Sequence, residues 1–121
     1  VAGKIINKEE ADKQFGAVLH SESMDAKDLL THVNKAQKSV MFAFIEQELF
    51  ILAEGRKVIH PHGGSVHEKE VFKHYSKEIV LELINSNPNG VVTIEQRSDT
   101  VTLTNGLSTL EFSMDCPPFC F

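Results

Sequence analysis

Cysteine, cationic excess and long apolar runs are scarce in this chain of 121 residues, and each scarcity removes a class of function. The two cysteines, Cys116 and Cys120, lie at the extreme C-terminus in Cys-Pro-Pro-Phe-Cys. A disulfide-stapled scaffold spreads its cysteines through the chain, so that class is excluded and reduced thiols are the default expectation. No apolar stretch approaches the roughly 20 residues that span a bilayer; the longest, Val40 to Ile45, is strand-sized. The formal net charge is −5, with the basic residues scattered among acids. Phosphate-backbone binders cluster Lys and Arg to displace counterions, so neither a nucleic-acid nor a membrane partner is expected. No secretory leader is visible, which points to the cytoplasm. The chain begins at Val1 instead of Met, as it would after removal of a leader.

Several motifs are missing as well. Gly63-Gly64 lacks the glycine spacing and the Lys-Ser/Thr of a phosphate loop, and no EF-hand spacing occurs among the acids. Ser21, Ser23 and Ser65 lie beside histidines, but no nucleophile-elbow pattern surrounds them. The cysteines have three residues between them, not the two of thioredoxin-like motifs.

What is present reads as one α+β domain over residues 1–121, with residues 115–121 as a C-terminal tail packed by Phe119 and Phe121. Lys4-Ile5-Ile6 is a short strand. Asn7 caps a short helix through Phe15, ended by Gly16. Ala17 to His20 is strand-like, and Asp25 opens a helix to Gln37 with Leu29, Leu30, Val33 and Ala36 on one face. Val40–Ile45 is apolar on both faces, as in a strand buried on two sides. Leu49–Ala53 and Arg56–His60 return as second and third strands. Val71, Phe72, Tyr75, Ile79 and Leu83 fall at helical spacing and predict one long helix over residues 66–85, capped by Ser65. A one-sided meander follows, with the Thr-rich set Thr93, Thr100, Thr102, Thr104 and Thr109 facing solvent or a flat partner such as a carbohydrate. Asn105-Gly106 marks a hairpin.

The order is roughly β-α-β-α-βββ-α-βββ: an antiparallel sheet packed by two main helices plus a short N-terminal one, in which the two helix-plus-meander halves form a pseudo-repeat. In element order alone it resembles small profilin-like and roadblock-like modules, which implies a single sheet. The expected core includes Phe42, Phe44, Phe50, Ile51, Phe72, Tyr75, Ile79, Leu103 and Phe112.

Four of the six histidines fall within fifteen residues, in His60-Pro61-His62-Gly63-Gly64-Ser65-Val66-His67 and at His74. If the strand runs through His62, then His60 and His62 share a face, and His67 and His74 stack on the following helix beside Glu70. A bend at Gly63-Gly64 would gather His60, His62, His67, His74 and Glu70 around zinc or another divalent transition metal, with an open position for hydrolysis. His60-x-His62 with Glu68 resembles the His-x-His…Glu of cupins, but the glutamate is too distant and a helix stands where cupins need strands. Cys116 and Cys120 form a second candidate, a redox pair. Two readings follow: a small regulatory module without catalysis that binds a protein or small ligand and is able to form a homodimer, or a metal-binding protein or metal-dependent enzyme using the His60–His74 cluster.

Overall fold

In the computed structural model, which describes residues 2–118, Asn7 ends a short strand, β1 (Lys4–Asn7), and caps the helix α1 (Lys8–Phe15). Its Oδ1 accepts the Glu9 amide at 2.8 Å, satisfying one donor that the first helical turn leaves open. Gly16, at φ +79, turns the chain out of the helix. Strand β2 (His20–Asp25) and helix α2 (Ala26–Val33) follow, with Ala26, Leu29 and Val33 forming the buried stripe.

The apolar middle forms the hairpin β3 (Ser39–Ile45) and β4 (Glu48–Ala53). Its two-residue turn holds Glu46 and Gln47 at φ 52 and 68, the left-handed pair whose twist suits antiparallel strands. A 3-10 turn, Glu54–Arg56, leads to β5 (Lys57–His60). The long helix expected over residues 66–85 is not formed. Residues 61–71 are a loop, β6 (Phe72–Ser76) is a strand, and the helix α3 (Lys77–Ser86) starts only after it. The apolar residues of 71–83 suit either period over so short a run, and β3 needs a second partner: β6 supplies it, with Val40 opposite Tyr75. Strands β7 (Val91–Gln96), β8 (Val101–Asn105), β9 (Ser108–Glu111) and β10 (Met114–Cys116) complete the chain.

The α+β class and the element order stand, but the strands divide into two antiparallel sheets of five, not the single sheet of the profilin-like and roadblock-like comparison. One has the order β1-β9-β8-β7-β2 and the other β10-β6-β3-β4-β5. Two halves of the chain, not the helix-led halves expected, share one topology. Each half (β2-α2-β3-β4-β5 and β6-α3-β7-β8-β9) sends its leading strand to the other half's meander, so that β2 pairs β7 and β6 pairs β3.

The main core lies between the inner sheet faces and the two larger helices. It joins Leu29, Val33, Phe42, Leu49, Ile51, Tyr75, Val80, Leu83, Ile94, Leu103 and Leu110. Tyr75 ties the sheets together, its hydroxyl donating to the Val101 carbonyl. A smaller cluster of Met41, Ala43, Phe50, Leu52, Phe72 and Cys116 fills the opposite face of the second sheet, so β3 is buried on both sides as its composition requires.

Three further expectations change. The Thr-rich face is not uniformly solvated. Thr102, Thr104 and Thr109 are buried with Glu95 and Arg97, which Lys8 and Asp12 tie to α1, while Thr93 and Thr100 stay half-buried. Phe112 is half exposed, because at φ 61 it leaves the strand alternation after Glu111. The second hairpin turns on Gly106-Leu107, one residue later than expected, since Asn105 stays in the strand to donate to the Leu83 and Asn87 carbonyls at the end of α3. Of the tail, Asp115 and Cys116 belong to β10, while Phe119, Cys120 and Phe121 lie outside the described residues.

Candidate ligand-binding depression

The five residues expected around a metal are not gathered. His60 ends β5, His62 lies exposed in the turn beyond it, and His67 is exposed in the loop, its Nδ1 accepting the Lys69 amide at 3.1 Å. Glu70 is exposed, and its backbone carbonyl accepts from Arg56 Nη2. His74 is buried on the outer face of the second sheet, opposite Met41, and burial holds its pKa below the ordinary value. With β6 extended, His67 and His74 share no helix face, so the geometry behind that ligand set is absent. Among the described residues, no group of three or more His, Cys, Asp and Glu side chains is arranged to hold a metal ion. Ser65 lies in the loop and begins no helix. Cys116 is buried and disulfide-bonded, not the free thiol expected, and Cys120 lies outside the described residues.

What the fold brings together instead is His60 with His32. Strand β2 edges the first sheet and β5 edges the second. Helix α2, which continues from β2, lays Asp28, Thr31 and His32 over the gap between these edges. The result is an open depression of about 320 Å³ lined by Glu22, Met24, Asp28, Thr31, His32 and His60. The two imidazole rings lie 5.1 Å apart, tilted by 56°. Glu22 Oε2 is 4.0 Å from His60 Nε2, too far for a hydrogen bond. His32 Nδ1 is shielded from solvent and has no hydrogen-bond partner. Burial lowers the His32 pKa, and His60 and Lys35 lower it further, with Asp28 acting in the opposite sense. The His32 ring is therefore neutral at neutral pH, with a lone pair to offer.

Sequence reasoning found His60 and missed His32, Glu22 and Asp28. Asp28 and His32 are one helical turn apart, which places them on one face of α2 and was readable as a spacing. Their meeting with His60, 28 positions after His32, depends on two sheets whose pairing no local pattern announces.

A tighter crevice of about 150 Å³ between the sheets includes Phe44, Val71, Lys73, Arg97 and Thr100. Its cations are already engaged: Arg97 holds Glu95 and Asp12, and Lys73 holds Asp115 at 2.6 Å. His20 is likewise engaged, with Nε2 2.9 Å from the Gln47 carbonyl oxygen and its ring edge-on to Phe44.

No family model, curated protein or solved structure matches this chain. Among the described residues, no helix is long and apolar enough to cross a membrane.

Proposed function

We propose that this protein is a small non-catalytic binding module whose ligand seats in the depression between α2, β2 and β5. The observation that carries the reading is the facing pair His32 and His60, one with an unpartnered ring nitrogen, in a concavity that also offers two carboxylates and Met24. Ligand sites combine a concave shape with a few convergent polar groups, and this depression has both.

The same residues are poorly set for catalysis. A nucleophile needs a hydrogen bond to its base, and the base needs a second group to orient it. Thr31, the hydroxyl within the depression, donates to the Lys27 carbonyl, and Glu22 stands 4.0 Å from the His60 ring nitrogen. The partner is a small ligand or an extended segment of another chain, including a second copy. Both flanking strands are sheet edges with unpaired backbone groups, which favours the second kind of occupant equally.

The test is amide shift mapping by NMR with a panel of small carboxylic acids, amines and amides, on the full chain kept in chelator. Saturable shifts concentrated at Glu22, Met24, Asp28, Thr31, His32 and His60 are the expected result. Shifts scattered over the surface, or confined to the crevice near Arg97, would sink the reading.

A further inference from the structure

The ring centroids of His32 and His60 stand at a separation compatible with one shared metal ion. With an imidazole nitrogen about 2.0–2.1 Å from zinc, two rings on a tetrahedral ion have centroids roughly 5 Å apart. The observed separation is 5.1 Å. Tetrahedral ligand atoms lie roughly 3.3 Å from one another by the same geometry. Glu22 Oε2 is at 4.0 Å from His60 Nε2, so the carboxylate has to close by a fraction of an ångström. Its side chain is 41 % exposed and free to make that movement. Asp28, on the same wall, supplies a second negative charge against an incoming dication, and Lys35 is the adverse charge nearby. Two imidazoles select the zinc, nickel and copper class over magnesium and calcium, which prefer all-oxygen shells.

We propose that His32 and His60, with Glu22 as the third ligand, bind a divalent transition metal ion of the zinc class. The two rings already lie side by side, and Glu22 must close on His60 to complete the set; without that movement the three side chains are not a ligand group. The proposal rests on the ligand-binding reading above and names the ligand class of that same depression.

The experiment is a titration of chelator-stripped, dialysed, untagged protein with zinc chloride, followed through the imidazole ¹H–¹⁵N resonances of the six histidines. The expected result is saturation near one equivalent, with the His32 and His60 resonances shifting and those of His20, His62, His67 and His74 staying in place. Magnesium chloride should shift none of them. His32→Ala and His60→Ala should each weaken zinc binding at least tenfold, Glu22→Gln should weaken it less, and His67→Ala should leave it unchanged. Zinc shifts at His62 or His67 instead, or no saturable shift, would overturn the proposal. The wild-type spectra decide the matter even where a variant folds poorly. Small-molecule binding in chelator with no zinc response would overturn the metal assignment and leave the ligand-binding reading standing. A zinc response at His32 and His60 with no small-molecule binding would support the metal assignment and narrow the reading to it.

Discussion

Glu95 and Glu111 sit two strands apart on one sheet face, yet their surroundings push them in opposite directions. Burial alone would raise the Glu95 pKa. Lys8, Thr104 and Thr102 outweigh that and hold its carboxyl below the ordinary value. Oε1 accepts from Arg97, Thr102 and Thr104, and Oε2 from Lys8. The Arg97 side chain is fully buried, so Glu95→Ala leaves a buried guanidinium short of one of its two counter-charges. The expected loss is about 3–5 kcal/mol in chemical denaturation; a loss under about 1 kcal/mol would mean that Asp12 alone suffices for Arg97. Glu111 has two buried oxygens, and burial raises its pKa to about 7, with Lys4 and the Phe112 amide opposing and Glu10 assisting. A carboxyl raised in the folded state binds its proton more tightly there than in the unfolded chain. Its contribution is therefore full below the unfolded pKa near 4.5 and lost as pH rises through about 7. Glu111→Gln should match wild type near pH 5 and exceed it at pH 8, on the order of 1–3 kcal/mol. Parallel stability–pH curves for the two proteins would show that Glu111 is not the titrating group.

At the level of elements, turns explain most of what local sequence predicted well and badly. The hairpin near Asn105-Gly106 was legible because Gly106 tolerates a left-handed backbone, and its φ is 66. A side chain at Gly106 meets nothing within 4 Å, so any cost of substitution is conformational. Gly106→Val should cost about 1–3 kcal/mol and Gly106→Asn much less, because asparagine accepts that backbone region. Equal losses in thermal melts would point to packing instead. The turn at Ser98-Asp99 places Ile94 opposite Leu103 as alternation requires. Glu54 was not legible as a cap. Burial would raise its pKa, but the Lys38, Ser39 and Gln37 amides it accepts hold it low, and it thereby anchors the start of β3 from the far end of β4. The stretch 66–76 was misread because a short apolar run satisfies the helical and the strand period alike. What decided it was the open edge of β3, whose residues lie 31 to 37 positions before their partners in β6.

For the whole molecule, stability is concentrated where the two sheets face each other. Phe42 is fully buried there, edge-on to Tyr75, while Phe44 is only partly buried at the margin. Phe42→Ala should cost about 3–5 kcal/mol and Phe44→Ala clearly less. If urea unfolding ranks the two in reverse, the packing described for β3 is wrong. The α+β class, the order of elements and the inner faces of the meanders were determined by the sequence itself, because 3.6- and 2-residue periods and turn chemistry act within a few positions. Only the tertiary structure decided the division into two sheets, the burial of Thr102, Thr104 and Thr109 and the meeting of His32 with His60. Those outcomes depend on which strand pairs with which across tens of residues, and that choice is made by collective burial, which no local pattern of side chains encodes.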